Sequence, residues 1–106
     1  MKEKILKGAR DFAEARILRR AIDVYGVENQ TWQLLEELFE LGLSICKLHR
    51  ERTRERYQNF VEERANVGIM IDQMAVAYED LNDVLEKRAE KLSRLEERMN
   101  GEKNEP

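Results

Sequence analysis

The chain has 106 residues, 39% of them charged and 42% hydrophobic, with a formal net charge of −3, five glycines and one proline. That length allows one domain around one core and excludes a second domain with its own active site. The scarcity of turn residues excludes an all-β fold, and the near-balance of charge with an ordinary apolar fraction excludes a disordered chain, leaving long amphipathic helices.

The first predicted helix runs over roughly residues 3–24, with Ile5, Phe12, Ile17, Ile22 and Val24 among charges, and stops at Tyr25-Gly26, a favoured C-terminal signal. The second begins near Asn29 or Thr31, either of which can cap it, and continues to about Arg54. The run His49–Arg56 has no apolar residue and places a turn within it or just after it. The third helix covers roughly 57–78. The fourth carries Leu81, Leu85, Leu92, Leu95 and Met99 at spacings of four and three, a narrow heptad-like stripe with Arg88 in one seam position. An antiparallel four-helix bundle follows, although the first and last helices could equally pack on a second chain.

Net charge and a pI near 5.3 supply no basic field for a nucleic acid polymer. The lone Cys46 cannot form an intrachain disulfide, and no apolar run is long enough for a signal peptide or a membrane span. The expectation is a cytoplasmic protein with no membrane and no nucleic acid polymer among its partners.

Two helical faces carry the candidate chemistry. At the angular step of an α-helix, Gln33, Glu36, Glu37, Glu40, Ser44 and Lys47 share an arc of roughly 100°, while apolar residues from Trp32 to Leu48 cover most of the remainder. So wide an apolar arc makes this helix the expected centre of the bundle, enclosed by protein on most sides. Its polar stripe is either a solvated face or a cation site. Crowding three glutamates against one lysine costs roughly a few tenths of a kcal/mol per like-charge pair, a cost that a bound cation removes.

On the third helix, Phe60, Val67, Met70, Ile71, Met74 and Tyr78 form the apolar arc, and Glu63 points into its middle. Glu62 falls on the polar side with Asp72 and Gln73; Asn66 sits at the border, one turn from Glu63. A core-facing glutamate requires a cation, met either as an ion pair with Arg19, Arg20, Lys47 or Arg88, or as a metal. If the two faces meet, Glu63 joins Glu36, Glu37 and Glu40 around a hard cation such as Mg²⁺. The single His49 and single Cys46 read as structural, and no Ser/His/Asp or Cys/His constellation is present.

Glu36-Glu37-Leu-Phe-Glu40 followed by Glu63-Arg-Ala-Asn66 resembles the EExxE and ExxD signature of the MazG-like, all-α nucleoside triphosphate pyrophosphohydrolases. The flanking Ala21–Gly26, Gln30, Leu41, Ile45-Cys46-Lys47, Ala65–Gln73 and Lys91–Leu95 are similar to small phage and bacterial members. The resemblance covers residues 17–99 of a single domain, with 1–16 as an N-terminal helical extension and 100–106 as a frayed tail. It implies an oligomeric bundle, a homodimer or dimer of dimers, that cleaves the α–β phosphate bond of a (deoxy)nucleoside triphosphate to the monophosphate and pyrophosphate. Glu37, Glu40, Glu63 and Asn66 would ligate Mg²⁺ or Mn²⁺. Glu36 and Glu37 would serve the attacking water; Lys47, Lys91 and Arg94 would contact phosphates; Gln30 and Trp32 would touch the base, although Trp32 reads more simply as a core or interface aromatic. One residue departs from the signature: Asn66 stands where the family has aspartate, removing a charge and a base while keeping a carbonyl oxygen donor. That departure sets the alternatives: an active enzyme with weaker metal affinity, a weakened or inactive homologue that binds nucleotide or scaffolds a partner, or a deliberately altered chain; a separate alternative is a helical adaptor that uses the 81–99 stripe.

Overall fold

The computed structural model describes the backbone of residues 2–104 and the side chains of residues 12–102. Four α-helices and no strands are present among the described residues: α1 (Lys2–Tyr25), α2 (Val27–Arg50), α3 (Arg54–Tyr78) and α4 (Leu81–Asn104). No helix there is long and apolar enough to cross a membrane.

A single residue joins α1 to α2. Gly26 adopts φ 88°, where a side chain would be strained; its N–H still donates to the Ile22 carbonyl at 2.8 Å, while its own carbonyl accepts from Gln30 N–H at 3.1 Å. Neither Asn29 nor Thr31 is the cap expected from the sequence. Each sits inside the first turns of α2 and donates its side chain backward, Asn29 across the junction to the Tyr25 carbonyl that ends α1 and Thr31 to the Val27 carbonyl within α2.

The α2–α3 turn falls within the His49–Arg56 run, as the sequence suggested, although α2 ends about four residues before the expected Arg54 and α3 begins about three before 57. Helix α2 stops at Arg50, where Glu51 turns extended, and α3 starts at Arg54 because Thr53 caps it, its Oγ1 accepting from Arg56 N–H at 3.2 Å. The Arg56 guanidinium folds back to donate to the Lys47 carbonyl at 2.7 Å, satisfying one of the last carbonyls of α2. At the far end, Glu79 takes the left-handed conformation at φ 52° and its carboxylate meets Arg19 at 3.8 Å. Helix α4 runs through Asn104 with Gly101 inside it, beyond the stop expected at 100; residues 105–106 of the tail lie outside the described residues.

The α2–α3 hairpin is the body of the fold. Among the described residues, helix α1 packs mainly on α3, and α4 touches α3 alone. Among the described residues the buried apolar ones are few: Ile22, Val67 and Met70. Helix α2 does not sit at an enclosed centre as its wide apolar arc suggested. The positions it turns inward are Val27, Gln30, Leu34, Glu37, Leu41, Ser44 and Leu48, at strict spacings of three and four, apolar and polar in alternation. Its opposite face, carrying Trp32, Leu35, Phe39 and Leu43, is exposed in the chain.

Candidate acidic site on the α2–α3 hairpin

Because polar residues occupy alternate positions of the inward seam of α2, the α2–α3 contact is built in layers. Nearest the α1–α2 junction, buried Gln30 donates from Nε2 to Oε1 of buried Gln73 at 2.7 Å, and Gln73 Nε2 lies 3.5 Å from Met70 Sδ. Near the turn, Ser44 is buried and donates to the Leu41 carbonyl at 2.7 Å. Between them lies the acidic layer.

Glu63, half-buried on α3, faces α2. Its Oε2 is shut away from solvent and has no hydrogen-bond partner. Its carboxyl is held above the ordinary value, first by burial, then by the negative charges of Glu37 and Glu40 across the seam; hydrogen bonding with the Asn66 side chain pulls the other way, and hydrogen bonding with Glu37 adds to the rise. Glu37 is half-buried and accepts from Gln33 Nε2 at 3.0 Å; Glu40 and Asn66 are more exposed.

The structure thus brings Glu37, Glu40, Glu63 and Asn66 to one place. Glu36 is exposed on the flank of α2 and is not among the charges acting on Glu63. The ion pair entertained for Glu63 is not formed among the described residues. Arg19 is engaged with Glu79, the neighbouring Arg64 lies over the Phe60 ring at 4.5 Å, and no basic group figures among the influences on Glu63. The carboxylates are not closed around a point either: no three His, Cys, Asp or Glu side chains among the described residues stand as a ready metal cage.

Lys47 is exposed at the turn end of α2, lining a depression with Glu51, Thr53, Glu55, Arg56 and Asn59. Lys91 and Arg94 line a groove formed by α4 residues alone, on a helix that makes no contact with α2 among the described residues, so one chain does not carry them to the acidic layer. Gln30 is committed to Gln73 rather than open to a ligand. Trp32 points outward, 62% exposed, on the face of α2 opposite the acids. Asp72 lies on the α1 side of α3, beside Glu14 and Leu18. His49 and Cys46 are exposed.

Gln73 and Ser44 are the seam residues that the helical projections misplaced, Gln73 having been assigned to the polar side of α3. The signal that finds them is the three-four register running from Val27 to Leu48, which selects Gln30, Glu37 and Ser44 as seam positions and so requires polar answers from α3. Comparisons of the chain with protein-family models, with curated proteins and with solved structures find no match.

Proposed function

We propose that the chain is a Mg²⁺-dependent nucleoside triphosphate pyrophosphohydrolase of the MazG-like kind, acting as a homo-oligomer, and that the acidic layer of the α2–α3 hairpin is its reaction centre. The observation that carries this reading is Glu63: a carboxylate with an orphaned, buried oxygen, set against two further carboxylates and no basic group. Such an arrangement is unfavourable in itself and is relieved by a hard cation. Glu37, Glu40 and Glu63 would hold the ion, with the Asn66 carbonyl oxygen as a neutral fourth donor. An ion held by these residues would supply positive charge against the triphosphate and a more acidic water.

The chain's own residues supply the rest. Glu36 or Glu37 accepts the proton of the attacking water. The water oxygen bonds to the α-phosphorus, the bond from that phosphorus to the α–β bridging oxygen breaks, and pyrophosphate leaves with the bridging oxygen. Lys47 shares the polar arc of α2 with the acids and is assigned to the phosphates. No side-chain nucleophile is required.

Incubation with the eight common nucleoside triphosphates and Mg²⁺ tests the reading. Monophosphate and pyrophosphate should form from at least one of them, and a Glu40→Gln variant should form neither above background. Equal product from both proteins, or none from either, contradicts it. A second reading is favoured by Asn66: a hairpin that binds nucleotide, or scaffolds a partner, with little or no turnover. Under it, Asn66→Asp creates or sharply raises hydrolysis without altering oligomeric state, whereas fast wild-type turnover unaffected by that substitution rules it out.

A further inference from the structure

Helix α4 is an arm rather than part of the body. Its 24 residues span about 36 Å, and every position from 81 to 102 is exposed. Leu81, Leu85, Arg88, Leu92, Leu95 and Met99 keep the alternating four-three spacing of a coiled-coil seam. The five apolar residues of that seam are each 43% to 53% exposed. The acidic layer of the hairpin makes no use of them.

The charges of α4 are sorted around the stripe. At about 100° per residue, Lys87, Lys91, Arg94 and Arg98 fall within roughly 60° of one another along one border. The other border carries Asn82, Ala89 and Glu96, while Glu86, Glu90 and Glu97 lie on the far side. Lys87 is paired with Glu90 at 3.4 Å, whereas Arg88, Lys91, Arg94 and Arg98 hold no ion pair among the described residues. Arg88 is the sharper feature, because a guanidinium inside an apolar seam needs a carboxylate opposite it once the seam is covered. A second α4 is a poor cover. Parallel pairing sets Arg88 against its own counterpart, and antiparallel pairing lays the basic border against itself, with Lys91 beside the counterpart of Lys91 or of Arg98. A lipid surface would meet both borders, Glu96 included. The complement of the pattern is a helix whose apolar stripe is bordered by acids and interrupted by one acid.

We propose that α4 is a docking arm for an acidic amphipathic helix of another protein. That helix lays its apolar stripe on Leu85, Leu92, Leu95 and Met99, aligns its acidic border with Lys91 and Arg98, and sets one carboxylate against Arg88. The inference does not depend on any assignment of activity.

Two labelled helical peptides of about three heptads, titrated with the full chain and followed by fluorescence anisotropy, test it. Both carry leucine in the seam except for one glutamate placed to meet Arg88; one has glutamate along both borders and the other lysine. The acidic peptide should bind at least about tenfold more tightly, and added salt should narrow the difference. Lys91→Glu with Arg98→Glu should reverse the preference, and Leu92→Glu should abolish binding of both peptides. All three positions are exposed, so circular dichroism should show helicity retained. Equal binding of the two peptides, binding of neither, or a preference unmoved by the double charge reversal overturns the proposal. Two further results overturn it by naming another occupant. One is adsorption of the chain to phosphatidylserine vesicles without a preference for the acidic peptide, which assigns the arm to a lipid surface. The other is a fall in solution mass on Leu92→Glu, which assigns the stripe to a second copy of the chain.

Discussion

Glu63 shows how one side chain can be costly to the fold and useful to a ligand. Its carboxyl titrates above the ordinary value in the folded protein, so folding favours its protonated form. The stability it affects is therefore present at pH below the ordinary carboxylate value. It is lost as pH rises through the higher folded-state value. Replacing it by glutamine removes the penalty: without divalent cation, Glu63→Gln should melt a few degrees above wild type at neutral pH, and the two should converge near pH 4. A wild type that is the more stable at neutral pH would mean that Glu63 has a cationic partner. Asn66 sits beside this carboxyl and softens its repulsions. Asn66→Asp should act in the opposite sense, lowering the melting temperature in the absence of Mg²⁺, enlarging the gain on adding it, and increasing turnover. The special character of Glu63 was visible in the sequence, because a glutamate placed between Phe60, Val67, Met70 and Met74 can only face inward. The position of Glu36 was not, since a helical projection groups Glu36 with Glu37 and Glu40 while the packing of α3 selects the latter two.

Among the helices, the α2–α3 hairpin owes its register to polar layers as much as to apolar ones. The Gln30–Gln73 pair is buried and mutually satisfied, so removing one amide strands the other. Gln30→Leu or Gln73→Leu alone should cost about 1–3 kcal/mol in denaturant unfolding, while the double replacement should recover most of that loss. Additive losses would mean that the two amides do not act as a pair. The Thr53 cap makes a separate contribution, and Thr53→Ala should cost about 1 kcal/mol. The number and type of helices were legible from the glycine at 26 and from the apolar spacing in each segment. The starts of α2 and α3 were less so, because Asn29, Thr31 and Thr53 are equally good caps by type. Only the turn geometry, with Gly26 at positive φ and Glu51 extended, decides that Thr53 alone caps while the other two bond backward.

For the whole molecule, two unfavourable features of the single chain stand out among the described residues: an apolar face of α2 that no other helix covers and carboxylates gathered around Glu63 with no basic side chain acting on it. The sequence disclosed the amounts of both, in its apolar and charged fractions, but not their arrangement. The wide apolar arc of α2 suggested an enclosed helix, because a projection cannot tell burial within a chain from burial between chains. Nor could it show that α4, with its stripe of Leu85, Leu92, Leu95 and Met99 exposed, would touch α3 alone among the described residues. The acidic layer is the feature on which function rests, and a ligand that binds only the folded protein must stabilise it. An ion present at ten times its dissociation constant adds about 1.4 kcal/mol, several degrees in a chain this short. Thermal melting at neutral pH, with and without millimolar Mg²⁺, measures this directly for the wild type and for Glu63→Gln. The wild type should gain several degrees and the variant none, whereas a wild-type melting temperature indifferent to Mg²⁺ would contradict a cation site on the α2–α3 hairpin.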